Sequence, residues 1–198
     1  MRVFQDRVDR FPVAVFEDAV EAALTAGMAS DVADLFDRHW VALGDNLAPD
    51  YITHVREGGF YGWPWYYIGG NQDPRHEGKH PELRTQVIVP DVLLSAHNAS
   101  LGITFYDGRM FPAEYRGDLF AAEHGSWNRA NRTGYELIRV PIVDGHATGE
   151  FQDFMTGFVL PDGNVWGRPV AVAVAPDGAL LVTDDGSQSI WRVSVAGK

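Results

Sequence analysis

Five stretches of the chain bring together side chains able to do chemistry. His124-Gly125-Ser126-Trp127-Asn128-Arg129 sets an imidazole, a hydroxyl, an indole, an amide and a guanidinium within six residues, directly after a short apolar run. A guanidinium there can pair bidentately with a carboxylate, so the string reads either as a ligand-lining loop or as a polar surface loop. His76-Glu77-Gly78-Lys79-His80 matches the H-E-x-x-H string of zinc proteases. That string works only on a helix, where residues four apart share a face. Pro74, Gly78 and Pro81 argue against a helix there, and with it against zinc proteolysis. Gly44-Asp45-Asn46 and Asp184-Asp185 offer oxygens of the kind Ca²⁺ takes, although Asp in turns more often stabilises the turn itself. The string from Gly58 to Trp65 (GGFYGWPW) packs aromatics among glycines and a proline. It reads first as a tightly turned, plugged edge and second as an aromatic wall for a flat ligand or a sugar.

Short strands must position these groups. From Leu43 onward Gly, Pro and aromatics dominate, and alternation predicts strands at Tyr51–Val55, Val87–Val89, Leu101–Tyr106, Leu119–Glu123, Glu136–Pro141, Phe151–Phe158, Val170–Ala175, Leu180–Thr183 and Ile190–Val195. Three segments recur in order. Leu101–Gly108 resembles Ala171–Gly178, Leu119–Gly125 resembles Leu180–Gly186, and Ile138–Val140 resembles Trp191–Val193. Strand, Asp-Gly turn, strand, loop, strand is the pattern of a β-propeller blade. A β-sandwich also gives short strands with such turns, and the pattern favours the propeller. Residues 1–42 differ in kind. Helical spacing of Phe16, Val20, Ala23 and Leu24, and again of Val32, Leu35, Phe36 and Trp40, predicts a helical hairpin over Val13–Arg38, rich in Asp and Glu.

Bulk composition removes several classes of function. The 198 residues carry a formal net charge of −11 and no cysteine. The charge argues against nucleic acid and disfavours an anionic lipid surface, while the missing cysteines remove disulfides, thiolate metal sites and cysteine nucleophiles. No run is apolar and long enough to span a bilayer. The N-terminus MRVFQDRVDRF lacks the apolar run of a signal peptide. Without an export signal the glycosylation strings at Asn98 and Asn131 carry little weight.

The strings LGDNLAPDY, EGGFYGWP, DPRHEGKHPEL, HNASLGITFYDG, AAEHGSWNR and GRPVAVAVAPDGALLVTDDGSQSIWRV, taken in that order over residues 43–198, resemble the C-terminal part of the sorbosone/glucose dehydrogenase family. Members are six-bladed propellers that oxidise sugars or sugar aldehydes with pyrroloquinoline quinone (PQQ) and Ca²⁺, and the resemblance is nearest to the L-sorbosone dehydrogenase branch. It implies an all-β fold of about three C-terminal blades, preceded by the helical segment. It also implies a metal contact at Gly44 and Asp45, and cofactor contacts at His97, His124, Trp127, Asn128, Arg129 and Arg168. The family's general-base histidine has no counterpart in the matched strings, so no catalytic residue is expected here. The resemblance further implies a periplasmic or secreted family and a product that is incomplete and inactive alone. The alternative is a non-catalytic half-propeller that binds carbohydrate or a protein partner. Open blade edges would also favour self-association.

Overall fold

The computed structural model describes residues 44–195 together with the short strand Val13–Ala14. In chain order the strands are β1 (Val13–Ala14), β2 (Tyr51–His54), β3 (Tyr66–Tyr67), β4 (Asn71–Gln72), β5 (Val92–Leu93), β6 (Ser100–Phe105), β7 (Leu119–Glu123), β8 (Glu136–Val140), β9 (Ile142–Val143), β10 (His146–Ala147), β11 (Gln152–Met155), β12 (Pro169–Val174), β13 (Leu180–Asp184) and β14 (Ser189–Val193). They form a three-stranded sheet β1-β2-β5, a four-stranded sheet β11-β8-β7-β6 and a three-stranded sheet β12-β13-β14, with small hairpins β3-β4 and β9-β10.

The alternation of β7 explains how these sheets stack. Successive side chains of a strand point to opposite faces. Leu119 and Ala121 enter a core with Ile52, Val92, Leu94, Ile138 and Val140, contributed in part by the first sheet. Phe120 and Ala122 enter a second core with Tyr106, Leu137, Val172, Leu180 and Val182, shared with the last sheet. The middle sheet is therefore covered on both faces. A two-sheet sandwich covers each sheet on one face only, so the packing is that of neighbouring propeller blades. Burial on both faces also explains why β7 reads as a continuous apolar run.

The internal repeat extends to irregularities. β6 shifts register against β7 between Ser100 and Ile103, and β12 shifts against β13 between Pro169 and Ala171, at the corresponding place. The two sheets meet closely at Gly102, where an added Cβ would lie 2.5 Å from the Ala171 Cα. No other residue type allows that approach. Tyr106 ties them further. Its hydroxyl donates to the Gly178 carbonyl at 2.8 Å and accepts from the Met110 and Phe111 amides at 3.0 Å each.

One expectation requires correction, and another falls almost wholly outside the described residues. Val87–Val89 is not a strand; Val87 makes only a parallel bridge to Phe60, and Val92–Leu93 pairs with β2 instead. Pro90 supplies no amide to a ladder, and the Asp91 carboxylate takes the His54 amide at 2.7 Å and the Thr53 hydroxyl at 3.0 Å. The expected hairpin of helices over Val13–Arg38 lies outside the described residues apart from Val13 and Ala14. Those two pair antiparallel with His54 and Thr53, as strand rather than helix.

Candidate functional site

The site residues stand on connections at one end of the sheets, and the strand ends fix them. β7 ends at Glu123, and the chain turns at Gly125 (φ +94°), where a Cβ would meet the Tyr135 ring at 2.4 Å. The turn packs on the connection before β6. The His124 amide donates to the Ala99 carbonyl at 3.0 Å and the Gly125 amide to the Asn98 carbonyl at 2.8 Å. His97 and Ala99 both take left-handed backbone angles, φ 68° and 53°. For residues with a Cβ this conformation is costly and persists only where the surroundings hold it.

Six of the eight residues marked in the sequence join two sets of contacts. In the first, the His124 ring lies between Arg168 and Asp185. Arg168 Nη2 is 3.1 Å from His124 Nδ1, and His124 Nε2 is 3.0 Å from Asp185 Oδ1. A guanidinium only donates, so Nδ1 accepts and Nε2 carries the hydrogen that goes to Asp185. In the second, Arg129 Nη2 donates to Asn46 Oδ1 at 2.8 Å and its Nη1 to the Ala96 carbonyl at 3.3 Å. The Asp45 carboxylate accepts the Ala130 amide at 3.1 Å, and His97 Nε2 lies 3.1 Å from the Gly44 carbonyl oxygen. The two sets share the connection from His124 to Arg129. Trp127 stands apart, 68% exposed. Asn128 Oδ1 and Arg129 Nε are buried with no hydrogen-bond partner among the described residues.

Sequence reasoning missed the acidic groups behind this rim. Asp50 takes the Ala99 amide at 2.7 Å, and Glu123 takes the Ser100 hydroxyl at 2.6 Å. Burial pushes the Asp50 carboxyl up to about 6, against the Ala99 amide and His97. Burial pushes Glu123 up to about 8; the Ser100 hydrogen bond opposes the rise, and Asp50 and Glu136 add to it. The available signal was a carboxylate closing an apolar strand, LFAAE, where a buried acid is costly.

The other marked strings are structural. His76–His80 is no helix. A 3₁₀ turn at Pro74–His76 ends at an extended Glu77, and a second begins after the left-handed His80. The His76 and His80 rings pack against Trp65, with centroids 4.8 and 4.3 Å away. Within GGFYGWPW, Tyr61 stacks on Tyr51 at 6.3 Å and Phe60 bridges Val87, which is the plugged-edge reading. Asp184 stabilises its turn, accepting from the Arg168 amide, Ser187 and the Trp191 indole.

A family model described as TrAA12-like matches residues 71–196. The chain belongs to the TrAA12-like family. The resemblance to PQQ-dependent sugar dehydrogenases read from the sequence strings is thereby borne out. An uncharacterised protein of Borreliella burgdorferi is 40% identical over 153 residues, which are 76% of this chain and 40% of that protein. Among solved structures, the calcium structure of a Trichoderma reesei carbohydrate-active enzyme of family AA12 is similar with a TM-score of 0.58 at 19% identity. It is matched over 76% of this chain and 44% of its own. The holo form of the pyranose dehydrogenase PQQ domain from Coprinopsis cinerea gives a TM-score of 0.54 at 21% identity, over 76% and 45% of the two chains. A crystal structure of glucose dehydrogenase gives 0.54 at 23% identity, over 77% and 39%. These likenesses show a shared β-propeller fold for this TrAA12-like chain. The chain thus spans less than half the length of the proteins it matches.

The rim fits one of the two groups that the resemblance implies and falls short for the other. Arg129 and Arg168 form a donor pair suited to a tricarboxylate such as PQQ, and Arg129 Nε is a buried donor still to be satisfied. Ca²⁺ takes six to eight oxygens. Gly44 and Asp45 bring few, each already accepting a hydrogen bond. Among the described residues no group of three or more His, Asp or Glu side chains is placed to hold a metal ion. No described helix is long and apolar enough to cross a membrane.

Proposed function

We propose that this chain is the C-terminal, cofactor-facing part of a PQQ-dependent sugar dehydrogenase, built of about three blades (residues 43–198) and without turnover on its own. One observation supports this most directly. Residues remote in sequence, His124, Arg168 and Asp185, meet where the last two sheets join, and the connection that follows His124 carries Arg129, whose buried Nε has no hydrogen-bond partner among the described residues. When bound, PQQ supplies the two-electron acceptor for oxidation of a sugar or sugar aldehyde. This chain's residues would bind and orient it. Arg168 and Arg129 offer charge-assisted donors to its carboxylates, and Trp127 gives an exposed aromatic face. His124 Nδ1 holds Arg168 in place while Asp185 fixes the ring. A compartment outside the cytoplasm, as in the family resembled, belongs to the same proposal.

The test is PQQ titration of the isolated chain followed by tryptophan fluorescence, alongside sugar-dependent dye reduction with PQQ and Ca²⁺ added. Saturable binding without turnover is expected, with Arg168→Ala weakening binding by about 10-fold or more, the worth of a charge-assisted hydrogen bond. Absence of binding would overturn the cofactor role, and robust turnover would overturn the incompleteness.

A further inference from the structure

We propose that Glu123 is a positioning residue for the rim: it fastens the turn carrying His97 to the strand end carrying His124 and acts as a proton-dependent lock on that turn. The proposal rests on the reading that this rim holds the cofactor, and deepens it.

The geometry is a clasp. Glu123 is 0% exposed and stands in register between Ser100 on β6 and Glu136 on β8. Its Oε2 accepts from Ser100 Oγ at 2.6 Å, and its Oε1 is buried with no hydrogen-bond partner among the described residues. Asn98, 1% exposed, acts on the same carboxyl and accepts the Thr133 hydroxyl at 2.9 Å. Two backbone hydrogen bonds then join the left-handed turn around His97 and Ala99 to His124 and Gly125.

The repeat supplies an independent comparison. Asp184 closes β13 as Glu123 closes β7, and it binds the connection before β12 through the Arg168 amide at 2.7 Å. Both blades thus use the last acid of the second strand to hold the entry to the first. Their solvation differs. Although burial raises Asp184, donors from Arg168, Ser187 and Trp191 hold its carboxyl below the usual range. Glu123 has the Ser100 hydroxyl and the Asn98 side chain, and the charged groups acting on it are carboxyls: Asp50 ahead of β2 and Glu136 on β8, the latter with Asp153 of β11 beside it. The flanking turns carry His97, which acts on Asp50, and His124, engaged with Arg168 and Asp185. One clasp is permanently charged. The other holds only while it keeps its proton, because an ionised carboxylate there would be buried alongside two other acids.

Hydrogen exchange of the full chain across pH 6 to 10, corrected for intrinsic rates, reads this directly at the His124, Gly125 and Ala99 amides. In the wild-type chain their exchange should rise by about 10-fold or more as pH passes about 8, as a local opening would give. Glu123→Gln should abolish the step. Ser100→Ala, which removes the hydrogen bond that favours the charged form, should move its midpoint to higher pH. A purely structural role would move neither. Absence of the step in the wild type, its persistence in Glu123→Gln, or an unmoved midpoint in Ser100→Ala would each overturn the proposal. PQQ titration of the same proteins separates the two readings. Failure of the wild type to bind at any pH sinks the cofactor role and leaves the exchange result standing.

Discussion

Replacing Tyr106 by Phe removes one oxygen from the junction between the last two sheets. The ring itself stays packed against Phe111 and Phe120, at centroid distances of 5.3 and 5.9 Å. Three hydrogen bonds go: the one given to the Gly178 carbonyl and those received from the Met110 and Phe111 amides. Phe111 and Gly178 are buried, so their polar groups have no ready access to water; Met110 is half-buried. An orphaned buried donor or acceptor costs about 1–3 kcal/mol. Two such groups, with partial relief at Met110, put the loss near 3 kcal/mol, or roughly 6–12 °C in melting temperature for a chain of this size. Urea unfolding with an unchanged slope is the assay, since the variant should alter stability and not the surface exposed. A loss below about 0.5 kcal/mol would refute the reasoning, because ordinary surface substitutions change stability by no more than that.

Other outcomes follow from the same structure. Asp118→Asn should cost about 3 kcal/mol in urea unfolding, because it leaves Arg139 buried without the carboxylate that faces its Nε at 2.6 Å. Gly102→Ala should destabilise by about 1–3 kcal/mol in the same assay, since the added carbon meets the backbone of Ala171 and Val170 rather than a movable side chain. Stability should fall as pH rises from about 4 to about 8. Asp50, Glu123 and Glu136 titrate at about 6, 8 and 7 in the fold, above their ordinary values of 3.8, 4.5 and 4.5, so the folded state binds more protons through that window. Urea midpoints at pH 5, 7 and 9 check the sign, and a higher midpoint at pH 9 than at pH 5 would contradict it.

Much of this architecture was legible because blade strands advertise themselves. β7 was read residue for residue, since two covered faces demand an unbroken apolar run closed by turn residues. The repeat found β6 and β12 together. What escaped was non-local. Val87–Val89 has the composition of a strand, but Pro90 and the Asp91 side chain decide the pairing, and that depends on Thr53 and His54 far back in the chain. Likewise, the string from His124 to Arg129 announced a polar loop. Nothing in it tells that Asp185 would hold the imidazole or Asn46 the guanidinium, because those partners lie 61 and 83 residues away. Glu123 was hidden differently. It sits where a strand alternation expects an apolar residue, and only the burial of its neighbours gives it meaning.

The sheets also differ in how far along the chain their contacts reach. β12–β14 is a pair of hairpins, and β6, β7, β8 and β11 keep the same order in chain and sheet, so these two blades close from nearby segments. The ties between blades reach further, 72 residues for Tyr106 to Gly178 and 44 for Arg168 to His124. Short loops close at lower entropic cost than long ones. Each of the last two sheets therefore closes locally, while the contacts that join them close the longer loops. The Arg168–His124–Asp185 part of the rim consists of contacts between these two sheets, so it exists only once they are docked.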